Sequence, residues 1–300
     1  MILIGLLSAL ALGVLVFVSM LAATLWRRWP AWPTLEAGAL GAVVNFFDSL
    51  GIGSFAPTTA YLKFRRLTPD QLIPATMIVG LALPSATEAF IFVDGVKVDP
   101  LLLVLAIAAS IGGGLAGESL SQRLPVRPIR LTMGLGLLIA AVLLALSNLG
   151  LMPHGGVATS LPPLPFALVV IGSFVFGVLI NLGIGNFAPT LVLVSLLGMN
   201  PRAAFPIMVG GSALIALTSG VKILANRPLN LGLVLGLTLG GVPAVLVAAF
   251  IVKSLPLAQL RWGVVAVVTY AGAIMLRAAI VGRETPEPAV ADEARAELTS

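Results

Sequence analysis

The sequence predicts an all-α polytopic membrane protein built as two inverted repeats, each a re-entrant broken helix plus three transmembrane helices, behind one extra N-terminal helix. Three observations carry that prediction. The composition is 59% hydrophobic and 10% charged, with a mean hydropathy of +1.10, too apolar for a surface that water must cover. An octapeptide, Gly51-Ile52-Gly53-Ser54-Phe55-Ala56-Pro57-Thr58, returns as Gly183-Ile184-Gly185-Asn186-Phe187-Ala188-Pro189-Thr190. Lysine and arginine collect in alternate loops, as cytoplasmic flanks of membrane spans require.

Residues 1–34 hold the first helix and its basic flank. The apolar run over 2–25 is long enough to span and lacks a basic leader and a small-residue cleavage site, so it reads as a retained helix and not a signal peptide. Arg27 and Arg28 place its C-terminal end inside, where Trp26, Trp29 and Trp32 make an aromatic belt. Residues 35–150 form the first repeat: an apolar run over 35–50, the first motif, a continuation to 62, and spans over 72–92, 101 to about 116, and 131–149. Residues 151–163 are an external linker loop. Residues 164–282 form the second repeat, with runs over 165–182 and 187–197 around the second motif and spans over about 203–224, 229–252 and 257–279. Residues 283–300 are a polar cytoplasmic tail whose Glu, Ala and Pro content predicts disorder.

The motif copies lie 132 positions apart, and the same offset pairs Pro69 with Pro201, Pro74 with Pro206 and Thr87 with Ser219. After small gaps, Gly112-Gly113 matches Gly240-Gly241, and Leu124-Pro125 with Arg130 matches Leu255-Pro256 with Arg261. The unit is duplicated. Topology then depends on whether each broken segment crosses or turns back. If it turns back, 13 cations are cytoplasmic, among them Arg27, Lys63, Arg65, Arg123, Lys222 and Arg227, and 4 lie outside: Lys97, Arg202, Lys253 and Arg261. If it crosses, the better orientation divides them nine to eight. The excess of Lys and Arg in cytoplasmic loops favours the re-entrant form. Three crossings per repeat is an odd number, so the halves are inverted. Re-entrant backbone is tolerated at membrane depth only when buried in protein or lining a cavity, so the two motifs meet near the midplane, one from each side.

The motif glycines let the backbone turn tightly, and Pro57 and Pro189 suit the first turn of a restarting helix. The free N–H groups of that turn, at the positive end of a helix dipole, favour an anion. Interrupted helices in matching halves point to a transporter's substrate site. The candidate substrate-binding residues are Gly51, Gly53, Ser54, Phe55 and Thr58 in the first copy, and Asn181, Gly183, Gly185, Asn186, Phe187 and Thr190 in the second; Ser49 is the counterpart of Asn181. Neutral donors suit an anion that must be released. In a single copy, close helix packing would explain the small residues as well; duplication with a proline restart favours a ligand.

Gly-x-Phe-x-Pro, present as Gly53 to Pro57 and Gly185 to Pro189, also resembles a signature of the chloride channel and exchanger family, a local convergence on one way to hold an anion. The wider pattern resembles the sulfite exporter TauE/SafE family of duplicated bacterial permeases. A glycine-rich turn and proline-started half-helix recur twice: Gly183 to Thr190 followed by Gly198-Met199-Asn200-Pro201 and Gly210-Gly211-Ser212, and Gly51 to Thr58 followed by Thr68-Pro69. The resemblance covers nearly all of the chain after the first helix. It implies a secondary transporter in the bacterial inner membrane that exports sulfite or small organosulfonates by alternating access. A passive small-anion channel of the same architecture is the alternative. Its partners would be a small anion and the lipid bilayer, with self-association into a homo-oligomer left open.

Ionisable residues inside apolar segments are costly and usually functional. Asp48, three residues before Gly51, has Ile180 as its repeat counterpart, and a carboxylate beside an anion site is a proton-coupling candidate or a packing element. Glu88 is a second candidate, four residues from the outer end of its span and within reach of interfacial water. Glu118 reads as an interfacial residue and Lys222 as one that snorkels. No cysteine is present, and the sole histidine, His154, lies in a Pro/Gly-rich loop, so no metal site or cofactor is expected. Gly-Ile-Gly-Ser resembles the rhomboid serine motif only loosely, and Asp48 has no evident carboxylate partner at membrane depth, so no enzyme is expected. The net charge of +5 is scattered among loops, which excludes a nucleic-acid stripe.

Overall fold

A computed structural model describes residues 2–27, 32–50, 52–93, 98–151, 156, 158–250 and 257–281. Gly51, His154, Arg28, Trp29, Lys97, Lys253 and the tail over 283–300 lie outside the described residues. Among the described residues there are twelve α-helices and no strand: α1 (Ile2–Arg27), α2 (Leu35–Ser49), α3 (Phe55–Arg65), α4 (Ile73–Gly80), α5 (Ala82–Phe92), α6 (Pro100–Arg123), α7 (Val126–Asn148), α8 (Pro163–Ile180), α9 (Phe187–Leu196), α10 (Ala204–Asn226), α11 (Leu231–Phe250) and α12 (Leu257–Val281). Seven of them, α1, α6, α7, α8, α10, α11 and α12, are long and apolar enough to cross a membrane, and the bent pair α4–α5 makes an eighth span if counted as one. The chain is a polytopic membrane protein.

Local chemistry sets the boundaries. Thr34 accepts the Ala37 N–H at 3.2 Å to start α2, and Asp99 accepts the Leu102 N–H at 2.9 Å to start α6, which has proline at its first position. The span expected over 72–92 begins with a 3-10 turn at Asp70–Leu72 and bends by 42° between α4 and α5. Pro84 lacks the N–H that would bond to the Gly80 carbonyl, and the Thr238 hydroxyl takes that carbonyl instead, at 2.9 Å. The second copy has Ala216 where the first has Pro84, and α10 runs unbroken.

The helices pack through small residues, and the two copies exchange partners. α2 lies along α11, where a Cβ on Gly240 would overlap the backbone of Gly38. α8 lies along α6, where a Cβ on Gly113 would overlap the backbone of Phe174. Gly113 and Gly240 thus serve the same purpose in the matched helices: with no hydrophobic drive between helices in lipid, close backbone approach supplies the packing.

Both broken segments are hairpins. At the open end of α2–α3, Arg65 Nε donates to Glu36 Oε1 at 2.7 Å, and the Tyr61 hydroxyl donates to the same oxygen at 2.9 Å. In α8–α9, a Cβ on Gly172 would overlap the Leu193 side chain, and the segment after α9 returns to the one before α8: the Gly156 N–H donates to the Met199 carbonyl and the Asn200 N–H to the Ala158 carbonyl, each at 3.0 Å. The two open ends are tied to opposite ends of α6. Beside the first, Lys63 and Arg130 both bind Asp70, the latter at 2.7 Å, and Gln71 reaches the Leu124 carbonyl just past the C-terminus of α6. Beside the second, the Asp99 N–H at the start of α6 donates to the Thr159 carbonyl at 3.0 Å. The 24 residues of α6 separate them by roughly 36 Å at 1.5 Å per residue.

Candidate functional site

The tips of the hairpins are built alike. In each, an N–H past the helix end closes on a carbonyl five residues back, in the helix's last turn: Ile52 on Phe47 and Ile184 on Leu179, both at 3.0 Å. This tight closure needs a left-handed residue, supplied in the second copy by Gly183 at φ +87°. Gly53, at φ +89°, then redirects the first copy into α3. The restarts fall at Phe55 and Phe187, with Pro57 and Pro189 in the first turn.

The two tips meet. A Cβ on Gly185 would stand 3.1 Å from the Cβ of Phe55, so one motif's backbone rests on the other's side chain. Together they border a cavity of about 90 Å³, room for several water molecules at roughly 10–15 Å³ each. Gly53, Ser54, Phe55, Gly185, Asn186 and Phe187 line it, and so do Asp48 and Glu88. The remaining wall comes from Ser85 on α5, Gly136 to Leu144 on α7, and Phe205, Met208, Val209 and Ser212 on α10. Gly136 is the residue that lets α7 approach, since a Cβ there would overlap Ile184.

Four of the described candidates stand outside the cavity wall. Thr58 turns its hydroxyl back to the Ser54 carbonyl at 2.7 Å, and Thr190 is buried in α9. Asn181 caps the end of α8 and reaches away, donating to the Gly114 carbonyl at 2.8 Å; Gly183 packs on Met133. Gly51 lies outside the described residues.

The copies differ in what meets the restarting helix. In the first, Asp48 Oδ1 accepts the Ser54 N–H at 3.0 Å and Oδ2 accepts the Ser54 hydroxyl at 2.6 Å, so a carboxylate of the chain itself takes the N–H where α3 begins. In the second, Ile180 stands where Asp48 would be, and Asn186 is held instead by α10: the Ser212 hydroxyl donates to its Oδ1 at 2.8 Å, and its Nδ2 is 3.5 Å from the Met208 carbonyl. Glu88 is buried in the wall with Ser49 donating to its Oε1 at 2.6 Å, and it lines the same cavity as Asp48. No partner carboxylate for Asp48 was evident from the sequence, because 40 positions separate it from Glu88, which lines the same cavity. Among the described residues, no Lys, Arg or His lines the cavity.

Ser85, Phe205 and Ser212 were not among the expected site residues. The 132-residue offset pairs Ser212 with Gly80 at the α4–α5 bend, so the repeat itself carried no polar signal for it. Glu118 and Lys222 are far from the cavity. Glu118 pairs with Arg227 at 3.1 Å and Lys222 donates to Ser119 at 2.6 Å, at the C-terminal end of α6. No group of residues among those described could hold a metal ion. No protein-family model, no curated protein and no solved structure matches the chain.

Proposed function

We propose that the chain is a secondary transporter for small sulfur oxyanions or organosulfonates, with the fold and substrate class expected of the TauE/SafE permeases. It works as a permease of the bacterial inner membrane and not as an enzyme. The observation that carries this reading is that both octapeptide turns, from hairpins rooted at opposite ends of α6, touch at Gly185 and Phe55 and border one cavity. In the membrane the hairpins are re-entrant, and the repeats that hold them are inverted. The substrate sits against the α9 restart, where the N–H groups are met by no carboxylate among the described residues, with Asn186, Ser212 and Ser85 as neutral donors. An anion there faces Asp48 and Glu88, so its binding is coupled to a proton on that pair, and the gradient can drive it uphill.

Sulfite flux into proteoliposomes tests the reading. Wild-type protein should carry sulfite, and Ser54→Leu and Asn186→Leu should abolish the flux while still inserting; undiminished flux in both variants would refute it. The passive-channel alternative is separated by imposing a proton gradient: only the coupled transporter accumulates sulfite against its concentration.

A further inference from the structure

We infer that the ion pairs at the C-terminal end of α6 form a lock that holds the permease closed at that end, a conformational device that rests on the alternating-access reading. The cavity occupies the other half of the molecule. On α7 it is lined from Gly136 to Leu144, the half toward the C-terminus, and on α10 from Phe205 to Ser212, the half toward the N-terminus. Phe92 and Phe205, rings 5.8 Å apart, show that α5 ends where α10 begins, on that same side. Every ion pair found among the described residues lies on the opposite side: Lys63–Asp70, Arg130–Asp70, Arg65–Glu36 and Arg227–Glu118.

Asp70 is the centre of the lock. Its Oδ2 binds Lys63 from the end of α3 and Arg130 from the start of α7, and all three side chains are at most 9% exposed. α3 begins at the cavity with Phe55 and Ala56, and α7 lines it from Gly136, so opening the cavity toward this end means parting α3 from α7. That parting breaks a buried pair and strands charge, which makes the closure two-state and not gradual. The second copy has Ser195 and Arg202 in place of Lys63 and Asp70 and so lacks the central carboxylate; the two ends are therefore closed by different means.

The chain contains no cysteine, so one introduced thiol reports alone. Ala140→Cys in the cavity wall is treated, in proteoliposomes, with a membrane-impermeant maleimide on either side. Labelling is expected from the side away from the ion pairs, and only slowly from their side. Adding Asp70→Asn should raise labelling from the ion-pair side about tenfold, as a conformer populated at a few per cent becomes a substantial fraction; Lys63→Gln serves if Asp70→Asn does not fold. Equal labelling of Ala140→Cys from both sides, or unchanged labelling in a folded lock variant, would overturn the inference. No anion is needed for this readout, so a wrong substrate assignment would show as absent sulfite flux with the labelling asymmetry intact.

Discussion

Gly185 lies against Phe55, one residue from each octapeptide, close enough that a Cβ at position 185 would stand 3.1 Å from that of Phe55. The contact makes the two hairpin tips one unit. It also explains why a glycine with ordinary φ is needed here: the requirement is space and not backbone conformation. A larger side chain must push the tips apart and deform the cavity between them. Gly185→Val is expected to cost about 1–3 kcal/mol of stability through overpacking and to abolish sulfite flux, read by thermal melting in detergent and by proteoliposome uptake.

The carboxylate pair yields a separate prediction. Asp48 is held by the N–H and hydroxyl of Ser54, and Glu88 by Ser49, around a cavity that no cation among the described residues lines. If a proton on this pair admits the anion, flux in wild-type protein should rise as pH falls on the loading side. Asp48→Asn and Glu88→Gln should each flatten that dependence and remove proton-driven accumulation, while flux down a sulfite gradient persists. Accumulation measured at a fixed sulfite concentration, with and without a pH step, decides the matter.

Helix packing can be tested at adjacent glycines. On α6 a Cβ at Gly113 would overlap the backbone of Phe174, whereas one at Gly112 would sit at an ordinary 3.7 Å from the Phe174 ring. Gly113→Ala should therefore lower the melting temperature clearly and Gly112→Ala little. Gly240→Ala on the matched helix α11, where a Cβ would overlap the Gly38 backbone, should behave like Gly113→Ala.

The bend between α4 and α5 rests on Pro84 and Thr238. Thr238→Val leaves the Gly80 carbonyl unpaired and should cost about 0.6–2 kcal/mol. Pro84→Ala restores a backbone N–H for that carbonyl, so the cost of Thr238→Val should shrink in the Pro84→Ala background. A double-mutant cycle measured by unfolding in mixed micelles gives the coupling directly.

Much of this architecture was legible in the sequence because membrane spans are apolar runs of fixed length and the duplication repeats its landmarks. The restarts at Phe55 and Phe187 were readable from glycine and proline chemistry, which is local. The turn-back of each broken segment followed only from charge counting, and its structural mark, Arg65 on Glu36, joins residues 29 positions apart. What the sequence concealed is side-chain direction. Thr58 and Asn181 have the right chemistry for a ligand but spend it on the Ser54 and Gly114 carbonyls. Ser212 and Glu88 face the cavity because of how α10 and α5 are rotated, and an apolar helix with no polar face gives no periodicity from which to read that rotation.

Calorimetric titration of purified protein with sulfite is the most direct test that two turns of opposite origin form a single anion site. The wild-type chain is predicted to bind one sulfite, and Ser54→Leu and Asn186→Leu, one change in each copy, should each abolish binding. Wild-type protein that binds no sulfite, or one variant that binds it as tightly as wild type, would contradict the shared site.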